Sequence, residues 1–151
     1  MADTQQAQFS IEKIYVKDLS LEVPNAPQVF LQRDQPEVQV QLHTEGSGVD
    51  EGVFQCLLTV TVTAKLGDKT MFLVEAAQGG IFQIRNVPQQ DLEPILSIAS
   101  PNILFPYVRE TISDTINRAG FPPVLLAPVN FEALYQQRLE QVAQQPAAPL
   151  Q

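Results

Sequence analysis

The chain is short of the residues on which enzymes and metalloproteins most often depend. Its 151 residues include no tryptophan, a single cysteine and a single histidine. The lone Cys56 cannot form an intrachain disulfide, so nothing points to an oxidising compartment. Cys56 and His43 cannot complete a tetrahedral zinc site without carboxylates, and a catalytic Cys–His pair would have to share one cleft. We therefore expect a protein that is not an enzyme and needs no metal or cofactor of its own.

Positive charge and long apolar runs are also scarce. Nine lysines and arginines stand against 17 aspartates and glutamates, which gives a net charge of −8 at pH 7. Phosphate binding needs clustered Lys and Arg, so nucleic-acid binding is not expected. No apolar run approaches the ~18 residues of a membrane helix. Residues 1–8 lack the basic and apolar regions of a signal peptide. We expect a cytoplasmic protein with no direct membrane insertion.

Alternating apolar and polar residues dominate the first half of the chain. This two-residue period is typical of strands that bury one face, and it predicts strands over residues 9–23, 37–43, 54–66 and 70–78. Ile14 and Val16 break the pattern, because they share a parity with polar residues. The glycines and acidic residues of 44–52 predict a turn or mobile loop. Gly79-Gly80 is expected to end the fourth strand, at a bulge or a close backbone approach.

The second half changes to helical periodicity. Residues 88–97 could form a short helix with Pro94 as a kink, and Gly120 ends an apolar stripe at helical spacing over residues 104–119. A proline-rich loop, 121–129, leads to Asn130, a good N-cap for a helix over about 131–142. We expect a flexible arm at 1–8, one domain at 9–143 and a flexible tail at 144–151. Strands followed by helices predict an α+β fold, with a four-stranded antiparallel sheet and helices on one face.

Several longer strings resemble one family. They extend in order over roughly residues 9–140, and two of them are long and rich in Pro and Asn: SPNILFPY at 100–107 and LAPVNF at 126–131. Shorter ones are FSI at 9–11, VPNAP at 23–27, QPEV at 35–38 and QGGIF at 78–82. These strings are similar to SecB, the bacterial export chaperone family. The resemblance implies a chaperone that binds unfolded precursor polypeptides, keeps them translocation-competent and delivers them to the SecA motor.

The resemblance also implies which residues form each surface. In SecB relatives the outer sheet surface docks the zinc-bearing C-terminal tail of SecA, and the zinc belongs to that partner. The matching positions here are Asp18, Glu22, Leu73 and Glu75. A groove for unfolded clients is implied between the crossover loop (residues 24–36), the second strand and the last helix. Its residues carry over as Phe30, Val38, Val40, Leu42, Leu134 and Tyr135. Relatives often have a tryptophan in the crossover loop, and this chain has none.

Relatives assemble as a homotetramer, a dimer of dimers in which the first strands meet and the long helices lie between sheets. Two observations connect this chain to such an interface. Ile14 and Val16 lie on the polar parity of the first strand, and Val74, Ala76 and Gln78 match family positions near the interface. Two other functions remain open. The chain could be a SecB-like antitoxin or adaptor chaperone for one dedicated partner, or a small-ligand α+β binding module.

Overall fold

The computed structural model describes residues 6–144, so residues 145–151 of the predicted C-terminal tail and residues 1–5 of the predicted N-terminal arm lie outside it. Within these residues, four strands and three α-helices follow one another. The strands are β1 (Gln8–Glu22), β2 (Glu37–Asp50), β3 (Val53–Leu66) and β4 (Lys69–Arg85). The helices are α1 (Gln89–Pro94), α2 (Ser100–Arg118) and α3 (Phe131–Gln144). No helix within residues 6–144 has the length and apolar character needed to cross a membrane.

The strands form one antiparallel sheet in the order β1-β4-β3-β2. Tight turns at Gly52 and Gly67, both with positive φ, join β2 to β3 and β3 to β4. The crossover loop, which contains a short 3-10 turn (Gln28–Leu31), carries the chain from β1 to the opposite edge. Strands β1 and β2 are therefore the two edges. The four-stranded antiparallel sheet and the α+β class are confirmed.

Two strands are longer than predicted. The expected loop at 44–52 is wrong, because β2 continues to Asp50 and its Gly46 pairs with Cys56 of β3. Likewise Gly79-Gly80 does not end β4, which continues to Arg85. The predicted close approach is correct: a Cβ on Gly79 would lie 2.5 Å from the ring of Tyr15, and one on Gly80 would lie 2.9 Å from Leu104. Only glycine leaves room for both neighbours.

Strand β1 contains two β-bulges. Its register against β4 shifts between Ile11 and Lys13 and again between Val16 and Asp18, so that Glu12 and Lys17 are extra residues. Each extra residue reverses the alternation of side chains between the two faces of the sheet. The prediction that Ile14 and Val16 lie on the polar face is therefore wrong. Their partners Gly80 and Gln78 place both of them on the face that carries the helices, which we call the inner face.

The helices cover only part of the inner face. Helix α2 packs on β3 and β4 through a stripe of fully buried residues, Leu104, Val108, Ile112 and Ile116. Gly120 ends this helix with a φ of +95°, as predicted. The short helix expected at 88–97 is instead continuous with α2 through a π-helical segment (Ile95–Ala99). Prolines on both sides remove helical N–H donors, and the Ser100 hydroxyl donates to the carbonyl of Ile95 at 3.0 Å.

Candidate binding surfaces

An apolar groove runs along the inner face of edge strand β2. Val38, Val40 and Leu42 point to this face, because they pair with the buried Ala64, Val62 and Val60 of β3. Helix α2 packs on β3 and β4 but leaves β2 at the margin. Val40 is consequently 42% exposed. The same alternation that buries the inner face of β3 thus presents apolar side chains to solvent on β2.

Two cavities lie in this groove. The first, of about 270 Å³, is bounded by Val40, Leu42, Phe105 and the loop 124–129. The second, of about 280 Å³, is bounded by Leu42, the buried Phe131 and Leu134 of α3, with Arg138 at its rim. Because Leu42 lines both cavities, the two are adjacent. We call these two cavities, together with the apolar face of β2 that borders them, the β2 groove.

The sequence prediction of the groove is only partly realised. Val40, Leu42 and Leu134 line the two cavities, and Val38 continues the same face of β2. Phe30 lies elsewhere: its ring stacks on Phe121 at 5.0 Å between ring centroids, and 47% of the residue is exposed. Tyr135 is buried in the first half of α3. The structure therefore brings four of the six predicted residues together along the groove.

The proline-rich loop supplies groove residues that sequence reasoning missed. Leu125 is 76% exposed and borders the first cavity, while the neighbouring Leu126 is buried. Phe105 of α2 forms the floor and packs edge-on against Phe131, with 6.0 Å between ring centroids. Two adjacent leucines between prolines are a visible signal for an exposed apolar loop. Their position beside β2 depends on long-range packing that local sequence does not encode.

An acidic surface occupies the opposite, outer face of the sheet. Glu22 pairs with Leu73 and Ser20 pairs with Glu75, so these side chains share one face with Asp18, which pairs with Ala77. All four predicted docking residues are therefore neighbours. Thr61 of β3 donates its hydroxyl to a carboxylate oxygen of Glu75 at 3.0 Å, which orients that group. Within residues 6–144 no ion pair neutralises Asp18, Glu22 or Glu75.

An exposed apolar stripe lies along the inner face of β1. The two bulges bring residues of both sequence parities into it, and we call this set the β1 stripe: the exposed Phe9, Ile11, Val16, Leu19 and Leu21 and the half-buried Ile14. The predicted interface residues Val74, Ala76 and Gln78 lie beside it on β4, where all three are buried within this chain. Four members of the stripe were not predicted as interface residues, because simple alternation assigns them to the core.

Known proteins give a consistent comparison. The family model described as preprotein translocase subunit SecB matches residues 2–142. The chain belongs to the SecB family. Protein-export protein SecB of Chromobacterium violaceum is 66% identical over 146 residues, which are 95% of this chain and 97% of that protein. The protein of the same name from Aromatoleum aromaticum is 67% identical over 136 residues, or 89% and 86% of the two chains.

A solved structure supports the same fold. The SecB-like chaperone of Mycobacterium tuberculosis, in complex with a ChAD peptide from the HigA1 antitoxin, superposes with a TM-score of 0.67. The match covers 80% of this chain and 90% of that one at 14% sequence identity, so it bears on the fold alone. With the near full-length relatives, these findings make the SecB-family chain a chaperone of protein export.

The only cysteine and the only histidine of this SecB-family chain lie on opposite faces of the sheet. Cys56 points to the inner face, where burial raises the pKa of its thiol to about 12. His43 pairs with Thr59 on the other face of the sheet and contacts Glu45 at 3.0 Å at an exposed position. Residues 6–144 contain no group of three or more His, Cys, Asp or Glu side chains suited to a metal ion. The geometry offers binding surfaces rather than a Cys–His pair.

Proposed function

We propose that the chain binds unfolded precursor polypeptides in the β2 groove and delivers them to SecA through the acidic outer surface. It works in the cytoplasm as a homotetramer and without a catalytic step. The observation that carries this proposal is the arrangement of the two surfaces. An open apolar groove and an unneutralised acidic surface occupy opposite faces of one sheet, so a client and a second partner can be bound together.

The groove suits apolar segments without a specific sequence. Its walls at Val40, Leu42 and Leu125 are apolar, and affinity comes from buried apolar area at ~25 cal/mol per Å². One short segment filling a cavity of about 270 Å³ therefore binds weakly. A long unfolded chain that occupies several linked grooves gains ~10²–10⁴ in apparent affinity without any new type of contact. Folded proteins, whose apolar segments are buried, are excluded.

The acidic surface suits a basic partner segment. Asp18, Glu22 and Glu75 present carboxylates around Leu73, so a cationic tail with an apolar residue is complementary in charge and in apolar character. Exposed charges of this kind contribute mainly to association rate and specificity. Binding therefore weakens as salt is added, because screening acts over about 8–10 Å. The SecA tail implied by the family has this chemistry.

Self-association follows from the uncovered edge and face of β1. An edge strand exposes unpaired backbone groups, and the β1 stripe exposes a run of apolar side chains beside it. A second copy related by a two-fold axis covers identical surfaces on both chains. Pairing of such dimers through the inner faces encloses the stripes and gives a dimer of dimers.

One alternative keeps a specific observation in its favour. The M. tuberculosis neighbour was solved with an antitoxin peptide, so a dedicated-partner role is compatible with this fold. The near full-length relatives at 66% and 67% identity are protein-export proteins and favour export. A small-ligand module would need space between sheet and helices. Instead Leu58, Val60 and Leu104 fill that layer and are fully buried.

The experiment that tests client binding uses Val40→Ser and Leu125→Ser. Both side chains border the first cavity from different elements and are exposed, so the variants should fold normally. We expect each to reduce affinity for an unfolded precursor by about tenfold, since each loses part of a buried side chain's transfer free energy. Affinity is measured by titrating one precursor in its unfolded and folded forms, together with an unrelated unfolded protein.

Two control variants make the result specific. Val49→Ser changes an exposed valine of β2 outside both cavities and should bind clients like the wild type. Glu75→Lys should retain client binding but lose binding of a synthetic basic peptide that has the sequence of a SecA tail. Equal loss in the Val40 and Val49 variants would show that the groove is misplaced. Binding of one folded partner only would favour the dedicated-partner role.

A further inference from the structure

Gln78 is a polar residue in an apolar layer. It lies on the inner face of β4, is 3% exposed and has Val16 and Leu58 as its cross-strand partners. Its side-chain N–H donates to the backbone carbonyl of Tyr15 at 3.1 Å. Its side-chain oxygen is buried without a hydrogen-bond partner within residues 6–144. An unpaired buried oxygen is unfavourable, so a residue that only filled space here would be better apolar.

The hydrogen bond lies beside the second bulge of β1. Tyr15 and Val16 pair with Gly79 and Gln78, and the extra residue Lys17 follows at once. Without a bulge in this place, Lys17 would pair with Ala77, and every later residue would move to the other face. Leu19 and Leu21 would then point outward. Asp18 and Glu22 would point to the inner face, among apolar side chains.

We propose that Gln78 is a positioning residue whose buried amide holds the bulge at Lys17, and that this bulge assigns the acidic residues to one face and the β1 stripe to the other. One side chain thereby specifies two surfaces, the acidic docking surface and the self-association stripe. The significance of the two surfaces rests on the proposed function. The link between Gln78 and the bulge does not rest on the proposed function, because the hydrogen bond to Tyr15 lies within a single chain.

The test compares Gln78→Met with Gln83→Met. Methionine keeps the volume of glutamine and removes both polar groups. Gln83 is a partly buried glutamine of the same strand that pairs with Ser10, away from the second bulge. In Gln78→Met we expect the amides of residues 16–19 to exchange hydrogen about tenfold faster than in the wild type. Binding of a lysine-rich peptide and self-association should both weaken. Gln83→Met should match the wild type in all three.

Deletion of Lys17 provides the decisive rescue. Without the extra residue, Val16 and Asp18 become neighbours and can pair regularly with Gln78 and Ala77, so both faces are kept without a bulge. The double variant, Gln78→Met with Lys17 deleted, should therefore recover assembly and peptide binding. Recovery supports the proposal even if Gln78→Met alone is unfolded. A double variant as defective as Gln78→Met overturns it, as does a Gln78→Met protein with unchanged exchange at residues 16–19.

The proposed function and this inference fail in different ways. A wild-type chain that neither self-associates nor binds the lysine-rich peptide contradicts the proposed function. Hydrogen exchange at residues 16–19 still reports on the bulge in that case, because the Gln78–Tyr15 bond lies within one chain. Gain of overall stability in Gln78→Met, with unchanged exchange at the bulge, would show that Gln78 is only a poorly satisfied core residue.

Discussion

At the scale of single residues, Cys56 gives the protein an alkaline stability limit. Burial raises the pKa of its thiol from an ordinary 9.0 to about 12, so the folded chain keeps the thiol neutral where the unfolded chain ionises it. The contribution of this thiol to stability is fully present well below pH 9 and is lost as pH rises through 9 towards 12. Between pH ~8 and ~10.5 we expect the free energy of unfolding to fall by about 2 kcal/mol more than in Cys56→Ala. Urea denaturation of both proteins at the two pH values measures the difference. Equal pH dependence would contradict a buried neutral thiol.

The face of the sheet on which a residue lies was predicted correctly where buried and exposed residues alternate regularly along a strand. It was predicted wrongly where a bulge interrupts that alternation. The inward position of Cys56 follows from the uninterrupted parity of β3 and is confirmed. Ile14 and Val16 were assigned to the wrong face, because two extra residues in β1 reverse the parity. A bulge is visible only against its partner strand, since no local residue preference marks Glu12 or Lys17 as unpaired. Asp18 and Glu22 nevertheless share one face, as their common parity predicts, because both follow the second bulge.

At the scale of elements, the attachment of α3 depends on its first turn. Its buried residues are Phe131 and Tyr135, and the Asn130 side-chain oxygen accepts the N–H of Ala133 at 3.0 Å. We expect Asn130→Ala to destabilise this helix by about 1 kcal/mol, which accelerates amide exchange at residues 132–136 several-fold. Asn130→Asp keeps an acceptor oxygen and should exchange like the wild type. If both variants exchange alike, the cap is not what holds the helix.

Elements were predictable where short-range pattern and long-range pairing agree. The stripe of α2 and the cap of α3 agree with the packing, and both helices formed where expected. The end of β2 was not predicted, because Gly46 and Gly48 have a low preference for strands. They are held in β2 by pairing with Cys56 and Phe54 of β3. The groove was also only partly predictable from local sequence. Its floor and rim come from α2 and a proline-rich loop, which tertiary packing brings to an edge strand far away in sequence.

At the scale of the whole molecule, the proposed function gives the sheet two tasks that need different surroundings. The β2 groove has to stay open to clients, and a broad apolar surface there would instead be covered by another copy of the chain. Its apolar area is accordingly divided between two small cavities. The β1 stripe has six apolar residues in a continuous row on an edge strand, and it has to be covered. The order β1-β4-β3-β2 places these two edges at opposite sides of the sheet. The proposed assembly through β1 would therefore leave the β2 groove free for clients.

This separation predicts that assembly can be broken without loss of the groove. We expect the wild type to form a homotetramer of about 67 kDa, four times the 16.7 kDa of one chain. Leu19→Lys places a charge in the middle of the stripe, where burial by a second copy is costly, and should shift the protein to smaller species. Leu31→Lys adds the same charge at a more exposed leucine of the crossover loop and should remain tetrameric.

Native mass spectrometry at micromolar concentration measures the species, and titration with short and long unfolded chains measures binding. The Leu19→Lys protein should bind a short apolar segment like the wild type, because each β2 groove lies within one chain. It should lose most of the ~10²–10⁴ advantage of a long chain, because that advantage comes from linked grooves. A wild type that is monomeric would contradict the assembly. A dissociated variant that still prefers long chains would show that affinity arises within one groove, and that the tetramer serves another purpose.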